Sequence, residues 1–438
     1  MKQKLYSLLV LLGLSATMHA QNEQKLVMKI APNATAVKFS FKLDGATELK
    51  VDFGDESKTF TGNSTDFLEV AYTFAAPSAE ERTITVDATN LFTLRGPAAA
   101  SKIVGVTEVV SDKLANLELA YSDLTTHSTL DLSKCPNLVN ASLSSTNLTD
   151  VVLPKSEKLS SVIVSPGLTA TGSLKSINLE DAPNLTTIGI TGASIQYIDL
   201  SKHKLLETLI FNFPVKYKGL RQIKGAKDLH NIKRLDLRRN ELGFDQIPNF
   251  ESDVPLEQFQ YGYQTAYYLA KDKINGYTLD LSHLQTATGL TPEVKKTKFT
   301  FKWKAKKEDK YAVIPAENIK EDNGKYTIDP TPLGVETVYV YFQMENIGYP
   351  GIGINKNYLA SYMLTLAKPK ANGITAVSEE PISFKITATG IDIKASGKSS
   401  IFNINGQKVW EGIAPARVSL SKGMYILRTA NGITKFVM

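Results

Sequence analysis

Apolar residues recur along the chain in two rhythms. Between residues 114 and 242 one register appears six times. Its clearest copy is Ile232-x-x-Leu235-x-Leu237-x-x-Asn240-x-Leu242. The others are Leu114/Leu117/Leu119/Leu124, Leu138/Ala141/Leu143/Leu148, Leu159/Val162/Val164/Leu168, Leu185/Ile188/Ile190/Ile195 and Leu206/Leu209/Phe211. The second aliphatic positions are 117, 141, 162, 188, 209 and 235, which lie 24, 21, 26, 21 and 26 residues apart. Such a period predicts stacked units, each too small to bury its own apolar face. A second motif runs between them: Leu130-Asp131-Leu132-Ser133, Ile177-Asn178-Leu179-Glu180 and Ile198-Asp199-Leu200-Ser201. Pro- and Asn-bearing turns follow, such as Lys134-Cys135-Pro136-Asn137, and favour tight turns over helices there.

The other rhythm is strict alternation, the mark of strands with one face buried. It covers 25–96, with Val37, Phe39, Phe41 and Leu43 and then Leu49, Val51 and Phe53. It returns in 260–367, in Tyr277–Ser282, Phe299–Ala305 and Val338–Phe342, where Asn323-Gly324 signals a hairpin. It returns again in the tail, in six short strands from Phe384 to Met438, with Asn405-Gly406 and Asn431-Gly432 as turns. The Pro-, Lys- and Gly-bearing stretch 368–380 reads as a linker between these last two blocks.

These patterns carry resemblances. The repeats resemble the short leucine-rich repeats of internalin-like and other Bacteroidota surface proteins, which implies a binding scaffold. Val51-Asp52-Phe53-Gly54-Asp55, with Tyr72-Thr73-Phe74 after it, is similar to PKD-type domains, although Val51 and Glu56 replace the family's aromatic and final glycine. The block 260–367 looks like an immunoglobulin-like sandwich, of the kind that follows the repeats in internalin-like proteins. In the tail stand Asn403-Ile404-Asn405-Gly406, then Gly423-Met424-Tyr425-Ile426-Leu427-Arg428, then Gly432 and Lys435-Phe436-Val437. They resemble the type IX secretion C-terminal sorting domain of Bacteroidota. That resemblance implies export across the outer membrane, removal of the tail and attachment of the body to surface lipopolysaccharide. Asn405, Gly406, Gly423, Tyr425, Arg428, Gly432 and Lys435 are its sorting-signal residues.

The expected fold is therefore mainly β: a leucine-rich repeat solenoid (97–250) flanked by a PKD-like sandwich (25–96) and an immunoglobulin-like sandwich (260–367). A small C-terminal β-sandwich, the sorting domain (381–438), follows the linker. Residues 1–20 read as a signal peptide. Lys2 and Lys4 precede an apolar run of about ten residues, half of what a spanning helix needs, and Ala20 offers a small residue at the cut. No later stretch is long enough to span a bilayer as a helix, so no transmembrane segment is expected in the mature chain. An exported chain with one cysteine, Cys135, draws its stability from packing rather than cross-links.

Composition changes this picture little. The net charge of +6 falls to +4 without the signal, too mild and dispersed to argue for nucleic acid as a partner. The histidines outside the signal, at 127, 203, 230 and 283, lie far apart, with no His-Glu-x-x-His or Gly-x-Ser-x-Gly motif. His203 and His230 fall in repeat turns, where exposed polar residues are expected. No catalytic residue, cofactor or metal is assigned. Asp52 and Asp55 read either as calcium ligands or as turn carboxylates that bond nearby amides.

The candidate site is the row of residues that alternation turns outward on the repeat strands: Asn116, Glu118, Asn140, Ser142, Ser161, Ile163, Thr187, Thr208, Ile210, Arg234, Asp236 and Arg238. The two arginines either hold an anionic group of a ligand or pair with Asp236. Lys298, Lys302, Lys304 and Lys306 form a stripe that reads either as a site for acidic polysaccharide or as protection of an edge strand. Phe259, Tyr261, Tyr263, Tyr267 and Tyr268 read as sugar-stacking residues or as a cap on the solenoid. The expectation is a secreted, surface-displayed, adhesin-like protein that takes a protein or glycan on the solenoid face and meets the secretion and sorting machinery through its tail. The alternative is a carbohydrate-binding accessory or a weak polysaccharide hydrolase.

Overall fold

A computed structural model describes residues 23–96, 102–120, 122, 124, 126–144, 146–166, 174–212, 219–249, 254, 257–289, 293–368, 384–387, 390–403, 407–429 and 432–437. The expected signal peptide, nearly all of the expected linker, Leu168, Asn405 and Gly406 lie outside them. The fold is mainly β: a solenoid of about six turns together with several antiparallel sheets, and no α-helix among the described residues.

The first strands are β1 (Lys25–Ile30), β2 (Ala36–Leu43), β3 (Thr47–Asp52), β4 (Ser57–Gly62), β5 (Leu68–Thr73), β6 (Arg82–Asp87), β7 (Leu91–Arg95) and β8 (Ile103–Val110). One sheet runs β4-β3-β6-β1-β8, and β5-β2-β7 lie in a second. Alternation buries Val37, Phe39, Phe41 and Leu43 between them, and Phe53 stacks on Tyr72 at 3.9 Å. Asp52 accepts the amide of Gly54 at 2.9 Å, with Gly54 in the left-handed region (φ 88°), so the carboxylate shapes the turn. Asp55 accepts the Tyr72 hydroxyl at 2.7 Å. Strand β8 comes from the segment expected to begin the repeats, yet it pairs antiparallel with β1 and buries Ile103, Val106 and Val109 in the sandwich.

The solenoid adds β9 (Asn116–Glu118), β10 (Thr129–Asp131), β11 (Asn140–Leu143), β12 (Asp150–Val152), β13 (Ser161–Val164), β14 (Ser176–Ile177), β15 (Thr187–Thr191), β16 (Tyr197–Asp199), β17 (Thr208–Asn212), β18 (Gln222–Lys224), β19 (Arg234–Asp236) and β20 (Gln258–Gln260). The long sheet runs β20-β19-β17-β15-β13-β11-β9-β7-β2-β5, parallel from β20 to β7. The shorter parallel sets β10-β12-β14 and β16-β18 occupy the other part of each turn. Every repeat-register residue that is described is buried, from Leu114 to Leu242. Each leucine, isoleucine, valine or phenylalanine among them contributes about 1.5–3 kcal/mol by leaving water.

Two features extend the stack beyond its expected ends. Strand β7 belongs to the first sandwich and yet pairs parallel with β9, so sandwich and solenoid share one sheet. At the other end Phe259-x-Tyr261-x-x-Gln264 repeats the register one turn after Leu235-x-Leu237-x-x-Asn240. Asn240 donates to the carbonyls of Phe211 (2.6 Å) and Leu237 (3.0 Å) and accepts the amide of Leu220 (2.9 Å). Gln264 does the same work one turn on, donating to Leu237 and Tyr261 and accepting Leu242.

That last turn is closed by the third block. Tyr261 and Tyr267 are buried, Tyr349 meets Tyr261 at 5.2 Å and Phe244 at 5.3 Å, and the Tyr261 hydroxyl donates to the carbonyl of Pro350 (2.7 Å). Tyr263 and Tyr268 stay exposed. The block itself has two antiparallel sheets, centred on Lys325–Ile328 and on the pair Lys295–Lys304 and Thr337–Asn346. Their contact includes Phe301 against Tyr326 at 4.9 Å.

Residues 368–438 form a separate compact unit. Its strands join in one five-stranded antiparallel sheet. Two of the six expected short strands are parts of one long strand, Gly390–Asn403, whose pairing shifts register between Ile393 and Gly397. A core of Ile391, Ile393, Ile401, Val418, Tyr425, Leu427 and Phe436 holds it.

His203 departs from expectation. The turn position predicts a solvent-exposed side chain, but the side chain is fully buried, in the slot that Cys135 and Ala182 fill in other turns. There Leu200 and Leu206 on either side must point inward, and the turn between them carries His203 with them. Its Nε2 donates to the Leu179 carbonyl at 3.1 Å, and Nδ1 has no partner. Burial lowers its pKa and keeps the ring neutral. The unfolded chain therefore takes up this proton first. The stability that neutral His203 supports is complete above the ordinary histidine pKa of about 6.5 and is lost as pH falls through the depressed value. H203A will flatten the dependence of the melting temperature on pH just below 6.5. An unchanged slope would mean that other groups set it.

Candidate functional site

Strand register decides which side chains share the long sheet's outer face. Thr93, Asn116, Asn140, Ser161, Thr187, Thr208, Arg234 and Gln258 align in one row. Arg95, Glu118, Ser142, Ile163, Gly189, Ile210, Asp236 and Gln260 align in the next. The residues chosen by alternation all fall in these two rows, except Arg238, which lies just beyond β19. The rows differ in character along their length.

The first rungs satisfy themselves. Asn140 donates its amide to Asn116 at 2.7 Å, and Asn116 donates to Thr93 at 3.2 Å. Arg95 donates to Glu118 at 2.6 Å while its guanidinium lies 3.7 Å from the Phe67 ring centre. Hydrogen-bonded rungs of this kind stiffen the sheet and leave little free bonding capacity.

The middle rungs are smaller and more open. Ser142, Ser161, Thr187 and Thr208 are half-buried around Ile163, which is exposed, and Ile210. Gly189 has no side chain to cover them, and a Cβ there would touch Ile163 at 3.4 Å. A shallow surface of hydroxyls with an aliphatic centre results.

The last rungs hold the charge. Asp236 is only 3% exposed, against its assignment to an outward position. It accepts Asn212 Nδ2 at 2.6 Å and the Arg238 guanidinium at 2.9 and 2.7 Å. Burial works to raise its pKa, but the bonds from Arg238 and Asn212 outweigh it and hold the carboxyl below the usual range. Of the two readings for this trio, the geometry of Asp236 and Arg238 is that of pairing. Arg234 is exposed and lies 3.7 Å from Glu257. Beside Asp236, the side-chain oxygens of Asn212 and Gln260 are buried without a hydrogen-bond partner. Alternation alone did not reveal these two acceptors, because Asn212 stands one step past the row and Gln260 belongs to the added turn.

Other candidates fall elsewhere. His127 pairs with Glu81 at 2.8 Å and His283 with the Tyr267 hydroxyl at 2.9 Å, so the histidines are not brought together. Among the described residues no three His, Cys, Asp or Glu side chains are placed to hold a metal, and no helix is long and apolar enough to cross a membrane. Cys135 is buried, and burial pushes its thiol up to about 12. In the tail unit Tyr425 is buried, stacks on Phe436 at 5.7 Å and meets Ser421 at 3.1 Å. Gly423 lies beside the Tyr425 ring, Arg428 is exposed, and Gly432 and Lys435 lie in the last strand.

No protein-family model matches the chain, and neither a curated protein nor a solved structure is significantly similar to it.

The two ends of the charged cluster should respond differently to truncation. D236A will cost about 3 kcal/mol in chemical denaturation, at the low end for a broken buried pair because Arg238 keeps part of its exposure. R234A will stay within about 0.5 kcal/mol of the parent protein. Equal losses would show that Asp236 is not the anchor of this end.

Proposed function

We propose that the chain is an exported, surface-displayed binding protein of the leucine-rich repeat kind, adhesin-like rather than catalytic, that takes a protein or glycan ligand on the outer face of its long sheet. The observation that carries this reading is the pair of unpartnered buried oxygens on Asn212 and Gln260. They sit at one end of an open row of hydroxyls centred on Ile163 and Ile210. A buried acceptor without a donor costs free energy that a ligand donor restores. A sheet held rigid by backbone ladders offers that donor a fixed geometry, so little ordering cost falls on binding. The resemblance of the tail to the type IX sorting domain, and the signal-like first twenty residues, supply the route to the cell surface.

Two measurements test it. Mass mapping of both termini of the native protein, in fractionated cells, is expected to find a surface form that starts near Gln21 and ends before about residue 375. A periplasmic form that still carries Met438 would remove the sorting reading. On protein and glycan arrays, Q260L is expected to lose at least about tenfold in affinity for whatever the parent binds, one unmet donor being worth about 1–3 kcal/mol. Hits that Q260L keeps at full strength would place the ligand elsewhere.

A further inference from the structure

The net charge of the whole chain, +6, equals that of sixteen of its residues. Between 295 and 310 stand eight lysines against two acids, Glu308 and Asp309. The strand Lys295–Lys304 carries Phe299, Phe301 and Trp303 on its inner side, and Phe301 and Trp303 are buried. Lys298, Lys302 and Lys304 therefore face out from the sheet. Among the described residues no carboxylate pairs with any of them, and the Lys304 ammonium donates to the carbonyl of Lys307.

Edge protection does not account for the stripe. The strand is bonded to Thr337–Asn346 along one side. On the other side it pairs with Thr286–Ala287 and Ala312–Val313, and Ile314 donates to the carbonyl of Phe301. Little of its edge is left to shield. The lysines rise from the face, where a sheet exposed to water has no need of one sign of charge.

Tyrosines share that face. Register sets Lys302 opposite Tyr341 and Lys304 opposite Tyr339. The Lys302 ammonium lies 5.7 Å from the Tyr341 ring centre, Lys304 lies 4.5 Å from Tyr311, and Lys307 lies 5.9 Å from Tyr339. Tyr311 and Tyr341 meet edge-on at 4.5 Å. Each half-buried ring thus holds an ammonium in place by cation–π attraction. Unpaired cations that the protein itself immobilises bind an anion with less entropy loss than free lysines do.

We infer that this lysine–tyrosine face is a second binding site, distinct from the solenoid face, and that it takes an acidic polysaccharide carrying carboxylates along its length. A flat sheet face suits an extended chain, and fixed rows of cations suit repeated charge. The tyrosine hydroxyls and edges suit sugar hydroxyls and C–H faces. Single-stranded nucleic acid fits less well, because base stacking needs open ring faces and here lysines cover them.

The test uses the full chain with polygalacturonate, neutral dextran and oligothymidylate as probes, by titration over a range of salt. Polygalacturonate is expected to bind with an affinity that falls steeply with salt. K302E/K304E is expected to weaken it at least about tenfold, or about 1.4 kcal/mol, with an unchanged melting temperature. K320E/K325E, on the other sheet of the same block, is expected to bind as the parent does. Should K302E/K304E fail to fold, K307E in the adjoining turn serves in its place and is expected to weaken binding in the same direction. The inference is overturned if polygalacturonate does not bind, if oligothymidylate binds as tightly, or if K302E/K304E binds undiminished. Q260L leaves this site untouched, so the two readings fail separately.

Discussion

A solenoid turn cannot bury its own leucines, and this constraint organises residues 23–367. Each turn covers the one before it, so the problem reduces to the two ends. At the first end the protein does not add a lid. It converts a strand of a sandwich, β7, into the first rung by pairing it antiparallel to β2 on one side and parallel to β9 on the other. The apolar face of the sandwich and that of the solenoid then run into a single core, from Leu26 through Leu242 and beyond. At the second end the stack adds a turn whose inward positions are aromatic. Phe259 packs on Tyr261, which is large enough to reach Tyr349 of the next block. The flanking blocks thus supply what the repeats lack, which explains why a short stack needs no disulfide.

Charge placement follows the same geometry. Residues one turn apart lie side by side, so opposite charges separated by one period meet. Arg95 meets Glu118, Lys224 meets Asp199, Lys233 meets Glu207 and Arg221 meets Glu241. The exposed pairs add little stability each, whereas Glu241 is buried beneath its arginine. Over residues 97–250 as a whole the charges nearly cancel, to a net of +2. In the third block the cations gathered between 295 and 310 lie opposite tyrosines instead of acids.

Much of this was legible in the sequence, for stated reasons. The repeat residues were legible because inward leucines recur at a fixed period and no surface role produces that pattern. The alternating blocks were legible as strands for the same reason at period two. Three things were hidden. The turn at Phe259-x-Tyr261-x-x-Gln264 keeps the register but not the residue types, so a search for leucine and asparagine passes over it. The strand β7 alternates as any sandwich strand does, and its parallel partner lies across the chain segment that contains β8. His203 is polar by type and buried by position, because the flanking leucines fix the turn more firmly than one imidazole can resist.

The candidate face shows the limit more sharply. Alternation placed every chosen residue except Arg238 in its row, since side-chain direction follows from strand geometry. It could not say which of those residues are free. Asn116 and Asn140 look like ligand contacts in the sequence and spend their amides on each other and on Thr93. Asp236 and Arg238 look like an anion site and spend their charges on one another. What remains open is set by pairing across turns, which depends on the register between strands some 20–26 residues apart. Asn212 turns its amide nitrogen toward Asp236 and so leaves its own oxygen without a donor, and Gln260, opposite Asp236 in the register, has an oxygen that likewise lacks one. Satisfying the buried charge and leaving a vacant acceptor beside it are therefore one arrangement, and any residue that relaxed the first would dissolve the second.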